Sequence, residues 1–211
     1  SIPVDGGNLI MSTEEYDALV SEEPWANRYV RILMGAREFL HNEKRYCLWF
    51  TEEPSANELE EMPLVKRRIK ATEEFREKSK KAATVELADE SYRFMEVRQP
   101  NQKYILVPRH SSEKRKYIPM GFVDPSIICT DANLVIPAPS HWLFGILQSR
   151  IHMAWVKYVC GRLESRFRYS AKIVYNNFPW KDLDEEQKTD IERTAKEILN
   201  ARKADGSSLA S

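Results

Sequence analysis

Glycine, cysteine and net charge are all scarce in this sequence. Seven glycines serve 211 residues and Gly6-Gly7 is the only adjacent pair, so no glycine-rich nucleotide loop is present. Cys47, Cys129 and Cys160 are far apart and odd in number, which excludes a disulfide framework and fits a reduced, intracellular chain. Metal-ligand spacing is missing as well, because His41, His110, His141 and His152 are scattered and no cysteine pair is close. The 32 basic and 32 acidic side chains cancel, and a neutral chain with 10% aromatic residues is predicted to fold rather than stay disordered. The longest uncharged run, Ala132 to Ser149, is interrupted by Pro137, Pro139, Ser140 and His141, which makes it a poor membrane span. The first residues, SIPVDGG, carry neither a basic region nor an apolar signal core, so nothing marks secretion and a cytoplasmic location is expected.

The overall neutrality hides local imbalance. Thr51 to Glu61 holds five glutamates and no cation. Lys66 to Lys81 then holds eight basic residues against three glutamates, and Arg109 to Lys116 holds four against Glu113. Arg150 to Lys181 holds seven basic residues against Glu164 alone. Three basic clusters in a neutral chain could form one face for a polyanion, or they could be charges scattered over solvated helix surfaces.

The length suits one large domain or two small ones. Ser12 and Glu15 have capping-box spacing ahead of Tyr16, Leu19 and Val20, which predicts a short helix. Pro24 to Leu40 has helical spacing, and the aromatic run Arg45 to Phe50 reads as a strand. Pro63 suits a first helical turn, with Leu64, Arg68, Ala71 and Phe75 as the apolar face and the Lys/Arg cluster opposite. Tyr92 to Arg98 and Lys103 to Pro108 read as strands joined by the turn 99–102, with further strands at Lys116 to Pro119 and Ser126 to Cys129. His141 to Cys160 reads as a single helix stopped at Gly161. A non-helical link leads to a last helix at Asp184 to Ala204.

Four places carry candidate chemistry. Glu96 and Arg98 are alternate strand residues and share a face. They could be half of a metal-dependent nuclease site, a surface ion pair, or a base-reading pair in which Glu accepts from a cytosine amino group and Arg grips guanine. Arg109-His110-Ser111-Ser112-Glu113-Lys114-Arg115-Lys116 sets two hydroxyls beside four cations, a combination able to hold phosphate oxygens. Tyr169 to Trp180 packs four aromatics into twelve residues and reads chiefly as a buried strap joining domains, with stacking on nucleic acid as the alternative. His152 reads as a core or interface histidine, and Cys160 as small-residue packing.

Three stretches carry a family resemblance: GAREFLHNEKRYCLWF (Gly35 to Phe50), PRHSSEKRKYIPMGF (Pro108 to Phe122) and FGILQSRIHMAWVKYVCGRLESRFRYSAKIVYNNFPW (Phe144 to Trp180). They resemble the C-terminal part of the MmeI-like bacterial DNA methyltransferases, which include enzymes joining restriction to adenine methylation in one chain. The resemblance implies a target recognition domain followed by a helical C-terminal segment. It also implies an upstream core with a glycine-rich S-adenosylmethionine loop and an Asn-Pro-Pro-Tyr-type motif. Neither occurs here, since Asn177-Phe178-Pro179-Trp180 lacks the second proline. Within the family an acid-x-basic pair on a strand reads bases, and Glu96 and Arg98 stand in that place.

The expectation is therefore an α+β chain: a mixed recognition domain over 1–137, a mostly helical segment over 138–204 and a flexible tail over 205–211. Its partners would be double-stranded DNA and an upstream methyltransferase core of the same polypeptide, with no membrane. Glu96 and Arg98 would read bases. Arg67, Arg68, Lys78, Lys80, Lys81, Arg109, Ser111, Ser112, Lys114, Arg115 and Lys116 would contact phosphates. The chain would be non-catalytic by itself and hold no cofactor or metal, S-adenosylmethionine belonging to the upstream core. The competing expectation is a protein-interaction module that packs on that core without reading bases. A free-standing magnesium-dependent nuclease is the third.

Overall fold

The computed structural model describes residues 1–205 and 209, so most of the tail expected at 205–211 lies outside the described residues. In chain order the elements are β1 (Ile10–Met11), α1 (Thr13–Glu22), β2 (Val30–Met34), α2 (Ala36–His41), β3 (Tyr46–Leu48), α3 (Ala56–Glu60), α4 (Pro63–Glu77) and α5 (Ala82–Val85). Then come β4 (Tyr104–Pro108), β5 (His110–Ser111), β6 (Gly121–Val123), β7 (Ile128–Cys129) and β8 (Asn133–Pro137). The C-terminal part holds α6 (His141–Leu147), α7 (Arg150–Val159), β9 (Gly161–Leu163), β10 (Arg166–Arg168) and α8 (Glu185–Asp205). The fold is α+β with a mostly helical C-terminal segment, as the sequence predicted.

Two compact units divide the chain, and neither is continuous. The first takes Ser1–Met34, Glu43–Gln99 and Ser126–Asp131; the second takes Gly35–Asn42, Pro100–Pro125 and the residues from Ala132 onward. Residue 137 falls inside the second unit, because β8 pairs with β4 along its whole length.

The first unit is built on a sheet of order β1-β3-β2-β7, antiparallel except for the parallel pairing of β2 with β7. Leu9, Met11, Leu33, Leu48, Met62, Val65 and Phe94 fill its core. The expected capping box is present: Ser12 Oγ accepts from Glu15 N, and the Glu15 carboxylate accepts from Ser12 N at 2.9 Å. Pro63 opens α4 as expected. The rest of that helix start is capped from a distance, where the buried Glu23 carboxylate accepts from the amides of Leu64 and Val65.

Several expected elements differ, each for a local reason. Pro24 to Leu40 is not one helix but a 3-10 turn (Pro24–Tyr29), then β2, then α2. The branched Val30 and Ile32 favour strand, and the Glu38 carboxylate accepts from Gly35 N at 2.8 Å to start a separate helix. The buried face of α4 is Val65, Thr72 and Arg76, one residue round from the expected Leu64/Arg68/Ala71/Phe75 stripe, and Phe75 is exposed. Tyr92 to Arg98 is not a strand: Glu96 alone bridges to Ile2. The strand expected as its partner, β4, already has β6 on one edge and β8 on the other.

In the second unit β6, β4 and β8 form one antiparallel sheet, and β5, β10 and β9 form another. Lys116 to Pro119 is irregular rather than a strand. Carbonyls in this region are satisfied by side chains: Gln148 Nε2 donates to Ile118 O at 2.9 Å, and Arg202 donates to Met120 O at 2.6 Å. The expected helix His141 to Cys160 is two helices. Ser149 Oγ accepts from His152 N at 3.1 Å and caps α7 as a fresh start. Gly161 is not a left-handed stop; it opens β9. Helix α8 lies against α6 at Gly145, where a Cβ would come within 2.6 Å of the Ile191 side chain.

Candidate nucleic-acid interface

The cations counted in the first basic cluster have separate fates. Arg67, Lys78, Lys80 and Lys81 are exposed on α4 and on the turn after it. Arg68 is largely committed, donating to the carbonyls of Asn8 (2.9 Å) and Ile10 (3.3 Å) and pairing with Glu15 at 2.8 Å. Arg76 is wholly internal. Its three guanidinium nitrogens donate to five carbonyls: Val4 (3.0 Å), Leu87 (3.0 Å), Glu90 (2.9 Å), Pro3 (2.9 Å) and Arg93 (2.7 Å). That fork ties the irregular segments 3–4 and 87–93 to α4, and the second of them leads directly into Glu96.

Glu96 and Arg98 sit on an extended segment fixed by its backbone. Ile2 N donates to Glu96 O at 2.9 Å, Glu96 N donates to Ile2 O at 3.0 Å, and Arg98 N donates to Ser1 Oγ at 3.1 Å. Next along the chain, Gln99 Nε2 donates to Ile127 O and Gln99 Oε1 accepts from Cys129 N, anchoring the segment beside β7. The side chains form an ion pair with each other at the surface, Arg98 being 69% and Glu96 42% exposed. The alternation expected of a strand thus survives without the strand, and an acceptor and a fork of donors are presented side by side on a rigid support.

In the second unit the Arg109 to Lys116 run starts as a strand and ends as a turn. Ser111 does not belong to an accessible surface: it pairs with Phe167 in the sheet and is buried. Ser112 and Lys114 are exposed, and the Ser112 hydroxyl accepts from Lys114 N at 3.3 Å. Lys116 is exposed, whereas the Arg115 guanidinium donates to the carbonyl of Leu209. His110 lies opposite Arg168 on β10. Burial, and then the nearby charges of Arg168, Arg166 and Arg109, hold its imidazole below the ordinary histidine range.

Sequence reasoning counted Arg166 and Arg168 but left them in a non-helical link. Both are exposed while Phe167 between them is buried. The Arg-Phe-Arg alternation after a Glu-Ser turn carried the period-two signal that identifies such a strand.

The aromatic stretch is a packing element. Phe178 meets His152 edge-on at 4.9 Å and Trp180 at 4.8 Å between ring centroids, and Trp155 Nε1 donates to Val174 O at 2.9 Å. His152 is fully buried, with Nε2 2.9 Å from the Tyr169 hydroxyl. Desolvation pushes its pKa down to about 4. Cys160 is buried, and burial pushes its thiol up.

Gly6 and Gly7 have φ of 63° and 88°, and a Cβ on Gly6 would stand 2.7 Å from the Phe75 ring. They make a tight turn against α4 and do not fit a cofactor loop. No described helix is long and apolar enough to cross a membrane.

These features belong to a target recognition domain, the class of module that finds a site for a separate catalytic core. Residues 1–182 match the family model of the MmeI target recognition domain, and the chain belongs to that family. It is 38% identical over 210 residues to DNA methyltransferase A of Bacillus subtilis (strain 168), an alignment covering 100% of this chain and 24% of that protein. The type IIL restriction-modification enzyme MmeI, solved in complex with DNA, superposes with a TM-score of 0.93 at 42% identity, covering 99% of this chain and 28% of the other. The chain thus spans about a quarter of the length of these relatives.

Proposed function

We propose that this chain docks on duplex DNA and reads part of its sequence for a methyl-transfer core in a longer polypeptide. That core would use S-adenosylmethionine to methylate adenine, a step that needs the recognition module to hold the duplex while the base is flipped. The chief support is the close likeness, at 42% identity, to an enzyme solved on DNA.

Glu96 and Arg98 read bases in this proposal. Their mutual ion pair satisfies both charges in the free chain, and a G·C pair offers the same two partners in the major groove: a cytosine amino group for Glu96, and guanine O6 and N7 for Arg98. Arg67, Lys78, Lys80, Lys81, Arg109, Ser112, Lys114 and Lys116 contribute positive charge or hydrogen bonds toward phosphates, fixing register without reading sequence. Arg68 and Arg115 are less available because each already holds a carbonyl of the chain.

Glu96→Lys should change which duplexes are enriched from a randomised pool, while total affinity for mixed DNA stays within a few fold. An unchanged sequence preference would remove Glu96 from base readout. Lys114→Ala should weaken every duplex alike and make the dependence of log K on log salt shallower by about 1, the contribution of one neutralised phosphate. A loss confined to some sequences would instead place Lys114 at a base edge.

A second role is favoured by one observation. Ile151 and Tyr158, seven residues apart on α7, are 73% and 90% exposed. Such a pair suits contact with another protein surface, and the methyltransferase core is the proposed partner.

A further inference from the structure

The outer face of the β5-β10-β9 sheet is a cationic strip made by two separate stretches of chain. Arg166 and Arg168 both point outward, about 7 Å apart along the strand, because strand side chains repeat every second residue. His110 stands opposite Arg168 and Leu163 opposite Arg166, so the pairing register sets a third nitrogen-bearing side chain beside the two guanidinium groups. Exposed Ser112 follows β5 and adds a hydroxyl. Phe167, pointing the other way, is buried under the guanidinium of Arg162, which lies 4.0 Å from its ring centre. That anchor holds β10 in place, so the cations are presented on a supported strand and not on a loose loop.

We infer that Arg166, Arg168 and His110 form a binding site for the sugar-phosphate backbone of duplex DNA. This rests on the duplex-binding reading given above and adds to it a site assembled by the hairpin. Three features favour a phosphodiester backbone over an acidic protein surface. Arg166 and Arg168 follow one another along a single strand, with a spacing on the scale of one nucleotide step, and His110 stands beside Arg168 on the next strand. Both cations are arginines, whose planar fork matches phosphate oxygens, and the imidazole beside them adds a hydrogen-bonding nitrogen. The imidazole lies close to Arg109, Arg166 and Arg168, a concentration of positive charge that an approaching phosphate relieves. Glu164, in the hairpin turn, pairs with Arg166 at 2.8 Å. Both partners of that pair are well exposed, so a phosphate can displace the carboxylate at little cost.

The test uses the 211-residue chain and a labelled duplex of mixed sequence, titrated over a range of salt concentrations. The double variant Arg166→Gln/Arg168→Gln should retain the wild-type melting temperature and show a log K against log salt slope shallower by about 2, the loss of two phosphate contacts. Glu164→Gln, which removes the competing acid from an exposed turn, should bind the duplex about two- to threefold tighter at low salt. If the double variant does not fold, the Glu164→Gln result decides by itself. Unchanged salt slope and affinity in the variants, with wild type binding normally, would overturn the strip as a DNA site and leave it for an acidic protein partner. Wild-type chain without salt-sensitive duplex binding would overturn the duplex reading itself, and the strip with it.

Discussion

Replacing Arg76 with methionine is expected to unfold the first unit. The substitution keeps much of the apolar stem and removes every donor, leaving five carbonyls without the partners they now have. Breaking a buried charged network of this kind costs about 3–5 kcal/mol, a large share of the roughly 5–15 kcal/mol that holds a domain folded. Arg76→Lys should be nearly as damaging, since an ammonium has three donors on a single point and cannot hold the five carbonyls of segments 3–4 and 87–93 together. Urea unfolding followed by tryptophan fluorescence should show the first transition moving to much lower denaturant. Limited proteolysis should open the segment around residues 87–93 first. The effect reaches function through geometry, because that segment positions Glu96 and Arg98. A variant with wild-type unfolding would show that the five bonds are not what holds this region together.

Acid should destabilise the second unit well before its carboxylates titrate. His152 is buried against Tyr169 and Phe178, and its Nδ1 finds no hydrogen-bond partner among the described residues. A proton added there would be a buried, unsatisfied charge, which is why the folded pKa falls to about 4 from 6.5. The sign follows from linkage. Between those two values the unfolded chain binds the proton and the folded chain does not, so stability is complete above about pH 6.5 and is lost as pH falls toward 4. At pH 4.5 the loss amounts to about 2–3 kcal/mol. His152→Gln should be somewhat less stable than wild type at pH 7 yet lose less on acidification. Denaturant midpoints at pH 7, 5.5 and 4.5 measure the difference directly. Parallel pH profiles in the two proteins would clear His152 of the effect.

What could be read from the sequence, and what could not, divides along physical lines. The capping box at Ser12 and the Pro63 helix start were legible because they depend on residues three or four positions apart. The buried reading of His152 was legible from its place among apolar neighbours on a helix. The family was legible because three long stretches of unusual composition carry the resemblance, and over nearly the whole chain the relatives are 38–42% identical. Strand pairing was harder. Tyr92 to Arg98 has strand composition, but β4 was already taken on both edges. The irregular course of residues 116–119 depends on Gln148 and Arg202, which are remote in sequence.

Charge shows the division most plainly. The sequence alone establishes that the positive charge is concentrated in three clusters, while the shared side of Glu96 and Arg98 was expected from a strand that is absent and is seen in their ion pair. Counting did not decide which cations face water. Arg76 and Lys78 are two residues apart in one basic run, yet one is the centre of a core and the other is exposed. Arg166 and Arg168 share a stretch with Arg162, which instead covers a buried ring. Local sequence sets the period at which side chains turn, but only the partners packed against an element select the phase. A guanidinium can serve either outcome, because its five donors are satisfied as well by backbone carbonyls as by water or phosphate.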